Sequence, residues 1–168
     1  ADVQIEESSD TRPGSTGSKS ARIWSRNAGF GVVANGNMTL GKINMGSIQA
    51  SSASNYNFSD IATADHSETL TDEPDSIVFW VKYTPNDNAE QARMKATLHD
   101  NYEYRDPEDA AASDHVVATA ELNYGPTNGW TRMAVAFDYS GPATTVEYIL
   151  VTFASNAAPG GGDVDDEV

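Results

Sequence analysis

The sequence predicts an all-β sandwich, and three observations lead there. Stretches of period-two alternation recur along the chain, turn residues separate them at the spacing a sandwich needs, and helical patterning is nearly absent. At 168 residues the chain has the length of one domain, enough to bury roughly 70% of the surface its unfolded form exposes.

Residues 1–20 are polar, with Glu6, Glu7, Asp10, Pro13, Gly14 and Gly17, and read as loop that packs only as an edge or cap. Ala21 to Ser25 and Met38 to Met45 are two weaker strand candidates. Ser47 to Leu70 is rich in Ser, Thr, Asn and Asp, holds Tyr56 and Phe58, and reads as a long decorated loop of the kind that carries function. The clearest strand follows Pro74-Asp75. There Ile77, Phe79, Val81 and Tyr83 point one way and Val78, Trp80 and Lys82 the other, until Pro85-Asn86-Asp87 stops it. From Arg93 to His99 even positions are small or apolar and odd ones cationic or polar, the pattern of a half-buried strand. His115 to Leu122, Trp130 to Tyr139 and Val146 to Ala154 complete the set, separated by Tyr124 to Gly129 and by Ser140-Gly141-Pro142. Asp106 to Ala112 can make one helical turn with Pro107 at its first position. Residues 21–162 are thus the sandwich. Residues 163–168 form an acidic tail after a glycine run, either a linker or a turn into a strand that is cut short.

Ten Lys and Arg against 25 Asp and Glu give a net charge of −15, which repels phosphate backbones and anionic lipid, so neither nucleic acid nor a membrane surface is an expected partner. No apolar run approaches the roughly 20 residues of a bilayer-spanning helix. With no cysteine, disulfides, thiolate metal sites and cysteine nucleophiles are excluded. Ala1 opens the chain without a basic and apolar leader, as expected for a mature protein or an excised module.

His66, His99 and His115 lack the His-Glu-x-x-His spacing of a zinc hydrolase, and no Gly-x-Ser-x-Gly elbow is present. Gly29-Phe30-Gly31 and Gly160 to Gly162 lack the lysine and helix of a phosphate cradle and read as turns. Asn37-Met38-Thr39 and Asn57-Phe58-Ser59 fit the glycosylation sequon. Carboxylates are so numerous that no acid–base pair can be singled out, and no catalytic residue is nominated. The acidic residues Asp163, Asp165 and Asp166 offer hard oxygens to Ca²⁺, which takes about six to eight of them, though without the EF-hand spacing. A plain solvated charge run is the alternative.

Binding residues emerge from the positions left over once each strand's core face is assigned. Trp80, Lys82, Arg93, Lys95, His99, Trp130 and Arg132 all leave the core. If their strands share a sheet, about 4.8 Å apart, they make one cationic and aromatic surface. Indoles would stack on sugar C–H faces while Lys and Arg grip hydroxyl, carboxylate or sulfate groups. Tyr56, Tyr102 and Tyr104 are reserve candidates in loops. In the competing reading the cations keep a sheet face soluble and the two indoles fill a second layer or lie under a loop.

Ala21-Arg-Ile-Trp24, Gly36-Asn-Met-Thr-Leu-Gly-Lys-Ile43, Pro74-Asp-Ser-Ile-Val-Phe-Trp-Val-Lys-Tyr83, Gly129-Trp-Thr-Arg132 and Tyr148-Ile-Leu-Val-Thr-Phe-Ala-Ser-Asn156 occur in an order that resembles the PCMD-like carbohydrate-metabolism domain of Bacteroidetes surface and secreted proteins. The likeness runs from about Ala21 to Gly162. It implies a jelly-roll, galactose-binding-like β-sandwich similar to carbohydrate-binding modules, appended to a larger secreted or cell-surface protein, and brings no catalytic residues. The sequence departs from the family after Gly162, where a further strand is expected. Either that strand is truncated or Val3 to Ile5 completes the sheet. The expected function is non-catalytic binding of a polysaccharide, neutral or anionic. The alternatives are a structural or adhesive spacer and, third, a glycan-cleaving enzyme.

Overall fold

The structure, a computed structural model, describes residues 3–168. Its strands in chain order are β1 (Ile5–Ser8), β2 (Ser20–Ile23), β3 (Arg26–Gly29), β4 (Val32–Ala34), β5 (Asn37–Thr39), β6 (Lys42–Met45), β7 (Asn55–Phe58), β8 (Glu68–Thr69), β9 (Ser76–Val81), β10 (Ala92–His99), β11 (Arg105–Asp106), β12 (Val116–Tyr124), β13 (Thr131–Ala136) and β14 (Tyr148–Ala154). The all-β expectation is met, with several antiparallel sheets arranged as a sandwich. The main sheet runs β12-β10-β14-β5, with β8 also paired to β14.

Facing it is a layer assembled from three parts of the chain: the pair β9-β13, the pair β1-β2, and the C-terminal residues between them. Val168 exchanges both backbone hydrogen bonds with Ile23, and Glu167 does the same with Thr84, just beyond β9. The acidic tail, expected as a linker or a truncated strand, is therefore hydrogen-bonded along both edges. Ile5 joins the same layer through Ile23.

Period-two patterning builds the core between these layers. Ile77, Phe79 and Val81 of β9 and Met133 and Val135 of β13 pack against Met94, Ala96 and Leu98 of β10 and Ile149, Val151 and Phe153 of β14. Phe79 meets Phe153 edge-on with ring centroids 5.3 Å apart, a geometry that favours contact between the positive edge of one ring and the negative face of the other. The inward positions Met133 and Val135 continue to Phe137 and stop there. Tyr139 is exposed and its hydroxyl donates to the Pro74 carbonyl.

The outer face of the main sheet is covered by a small sheet, β11-β7-β6, and by residues 100–115. Met38 to Met45, read as one strand, divides at Gly41 into β5 and β6. A Cβ on Gly41 would lie 2.0 Å from the Phe58 carbonyl oxygen, so only glycine permits β7 to approach so closely. Ser47 to Leu70, read as loop, contains β7, a short 3-10 turn at Ala64–His66 and β8. The single helical turn is Ala110–Ser113, capped by the Asp109 carboxylate, which accepts from the Ala112 N–H. It starts three residues after Pro107, because Asp109 is the side chain that satisfies an otherwise unpaired N–H.

Asp166 is fully buried where the tail enters the second layer. Its two carboxylate oxygens accept from the Asn86 N–H at 2.9 Å and the Asp163 N–H at 2.7 Å. Glu90 faces it, and burial first, then the hydrogen bond and charge of Asp166 and the charge of Asp163, push the Glu90 carboxyl up to about 7. A carboxyl that binds its proton more tightly folded than unfolded stabilises the fold most below its ordinary 4.5, and that contribution is lost as pH rises through about 7. The melting temperature is expected to fall between pH 5 and pH 8, and Glu90→Gln to flatten that fall. An unchanged slope in the variant would show that Glu90 does not set it.

Candidate functional site

The outer face of β9-β13 carries the first half of the expected binding set. Their ladder places Trp80 directly across from Arg132, and Val78 across from Ala134. Cross-strand partners of this kind hold their Cβ atoms about 4.5–5.5 Å apart. Trp80 is 37% exposed, Lys82 and Arg132 are exposed, and Trp130 is half-buried. These four positions therefore share one surface, because the residues between them, Phe79, Val81 and Met133, turn inward to the core. Gly129, at φ +79°, lets the turn before Trp130 take a left-handed conformation that a side chain would strain.

The connection between β1 and β2 crosses this surface. Asp10 accepts from Lys82 Nζ at 2.6 Å and from Trp130 Nε1 at 3.0 Å, and the Arg12 guanidinium lies 5.4 Å from the Trp80 ring centroid. The hydrogen bond from Lys82, then that from Trp130, hold the Asp10 carboxyl below the usual carboxylate range, and Asp10 in turn raises the Lys82 ammonium. Beside the indoles, between β2 and β9, a cavity of about 140 Å³ is lined by Ala21, Trp80, Lys82, Trp130, Phe153 and Val168. The whole forms a shallow groove bordered by the two indoles, with Arg12 over Trp80, Arg132 across the ladder from it, and the carboxylates of Asp10 and Glu167. Asp10 and Arg12 were missed in the sequence because they lie in the polar leader, 72 and 120 residues from the side chains Asp10 binds.

The second half of the set does not join this surface, which corrects the single cationic face expected from the sequence. Arg93, Lys95 and His99 lie on β10, in the other sheet, beneath the outer cover rather than in solvent. Arg93 donates from Nη1 and Nη2 to the two oxygens of Asp106 at 2.8 and 2.9 Å, and from Nε to Glu121 at 2.7 Å. Lys95 reaches Glu108 at 2.8 Å and Asp106 at 3.4 Å. Burial alone would raise the Asp106 carboxyl, but the Arg93 fork and then Lys95 outweigh it and hold it below the ordinary range. Arg93 and Lys95 neutralise the buried Asp106 and the partly exposed Glu121 and Glu108, and are not free to meet a ligand.

His99 is fully enclosed, stacked between Tyr104 and Tyr148 at centroid distances of 5.2 and 5.6 Å. Burial pushes its imidazole down to about 4, so at neutral pH it carries one ring proton. Its Nδ1 lies 2.9 Å from the Asp100 carbonyl, which can only accept, so that proton sits there and Nε2 accepts from the Ser59 hydroxyl at 2.8 Å. This Ser–His pair resembles an activated nucleophile in outline, but both residues are sealed from solvent and hold the cover to the sheet.

Of the reserve aromatics, Tyr104 is fully buried, its hydroxyl donating to Glu108 and accepting from Thr97. Tyr102 stacks in parallel on His115 at 3.8 Å, and the Arg105 guanidinium lies 4.7 Å from the Tyr56 ring centroid. None of the three reaches the β9-β13 face. Asp163 and Asp165 are exposed while Asp166 is committed to two backbone N–H groups, and among the described residues no group of three or more His, Asp or Glu is placed to hold a metal ion. Asn57, in one glycosylation sequon, is buried and accepts from Asn37 Nδ2, which belongs to the other sequon.

Compared with known proteins, the chain matches no family model, no curated protein and no solved structure.

Proposed function

We propose that the protein is a non-catalytic binding module, a jelly-roll sandwich of a secreted or cell-surface protein, that takes a polysaccharide on the outer face of β9-β13. The observation that carries this reading is the sharing of one face by Trp80, Trp130, Lys82 and Arg132, beside a cavity of about 140 Å³. Indoles on this face supply apolar area for stacking at little cost in conformational entropy, and the cations supply directional hydrogen bonds to hydroxyl or acidic groups. The resemblance in motif order from Ala21 to Gly162 points the same way. Affinity electrophoresis through gels containing neutral and acidic polysaccharides tests it. At least one polysaccharide is expected to retard the protein, and Trp80→Ala with Trp130→Ala to weaken that binding by roughly tenfold or more, equivalent to about 1.4 kcal/mol. Thermal melting controls for folding.

The contacts made by Asp10 and Arg12 favour a second reading, a spacer domain in which the indoles anchor the β1–β2 connection. It predicts no retardation by any polysaccharide and a lower melting temperature for the double variant.

A further inference from the structure

The binding face differs from the rest of this acidic protein in one respect. Seven of the ten lysines and arginines are ion-paired to Asp or Glu, namely Lys19, Arg22, Lys42, Lys82, Arg93, Lys95 and Arg105. Arg26 is also engaged, with its guanidinium 5.8 Å from the Trp24 ring centroid. That leaves Arg12 and Arg132, which have no carboxylate partner among the described residues. Both stand at the same indole: Arg12 above the Trp80 ring at 5.4 Å, Arg132 across the strand pair from it. With 25 carboxylates in the chain, a half-buried and an exposed guanidinium without a carboxylate partner among the described residues, one over an indole and one across the ladder from it, form a local positive site in a negative field. The two carboxylates that line the groove are already engaged, Asp10 by Lys82 and Trp130 and Glu167 by Arg22.

Resting on the polysaccharide-binding reading above, we propose that Trp80, Arg12 and Arg132 form a subsite for a uronic acid residue. A uronate presents on one ring an apolar C–H face, which suits the indole, and a planar carboxylate at the ring edge, which suits the two-pronged geometry of a guanidinium. Arg12 covers the indole when no ligand is bound. Its cation–π contact at an exposed site is worth only about 0.5–1 kcal/mol, and its side chain otherwise donates to the neighbouring Pro13 carbonyl. An arriving carboxylate draws the guanidinium off the ring and frees the face for stacking, while Arg132 holds the same carboxylate from the other side. Lys82, neutralised by Asp10, contributes hydrogen bonding and no net charge.

Polygalacturonate tests this, because full methyl esterification removes its charge and leaves its rings in place. Affinity electrophoresis and titration calorimetry are run with polygalacturonate, its methyl ester, a neutral galactan and a sulfated galactan. Polygalacturonate is expected to bind at least roughly tenfold more tightly than its ester. Arg132→Gln and Arg12→Gln are each expected to weaken polygalacturonate binding by about tenfold and to weaken binding of the ester by clearly less, with melting temperatures unaltered. Equal affinity for acid and ester, or retention of the neutral galactan alone, overturns the uronate subsite while leaving polysaccharide binding intact. Preference for the sulfated galactan overturns the choice of a carboxylate. Retention of none of the four overturns the subsite, and failure across the wider polysaccharide panel removes the binding reading as well.

Discussion

Asp106→Ala is expected to lower the stability of the fold by about 3–5 kcal/mol, the range for removing one partner of a buried ion pair. The Asp106 side chain is 4% exposed and serves two cations at once, a bidentate Arg93 and Lys95. Without it Arg93 keeps only Glu121, which is 43% exposed, and solvent-screened pairs contribute little. Lys95 keeps Glu108 and lies under the cover, in contact with the Tyr104 ring. Asp106→Asn, which preserves shape and one acceptor oxygen, should cost less, and Arg93→Met combined with Asp106→Ala should cost less than the sum of the two changes. Urea unfolding followed by tryptophan fluorescence measures all three. A loss under about 1 kcal/mol in Asp106→Ala would place the cluster among exposed surface pairs.

Removing residues 164–168 is expected to be more severe. Six backbone hydrogen bonds tie this segment to its two neighbours, through Ile23 and Ser25 on one side and Thr84 on the other. At about 1 kcal/mol each they approach the lower part of the 5–15 kcal/mol that holds a typical domain together. Arg22 also loses Glu167, and the Asn86 N–H loses its buried acceptor. The shortened chain should lack a cooperative thermal transition, and Trp24, which bridges Glu167, should become accessible to quenchers. A truncated chain that melts as sharply as the intact one would mean β2 and β9 close on each other without the tail.

Strands β9, β10, β12, β13 and β14 are readable in the sequence because each alternates between a core face and another face, and period-two pattern records that directly. What alternation cannot record is where the second face points. Trp80 and Arg132 turn to solvent, whereas Lys95, Thr97 and His99 obey the same alternation and turn into a third layer. That layer comes from Asn55–Phe58 and residues 100–115, rich in polar and acidic residues, so its burial is fixed by paired charges instead of apolar content. The groove was half legible for the same reason. Its indoles and cations follow from strand parity, while Asp10 and Arg12 belong to a segment with no periodicity, located only by tertiary contact.

The pairing of Ile23 with Val168 joins residues 145 apart in sequence, and Trp24 with Glu167 nearly as far. The layer that displays Trp80 therefore cannot close during synthesis until residue 168 has been made and has left the ribosome. Until then β2 and β9 present unpaired edges, the condition in which nascent β-proteins associate wrongly. High contact order also slows closure to milliseconds or seconds. A large excess of like charge is a physical means of keeping such incomplete chains apart while they wait.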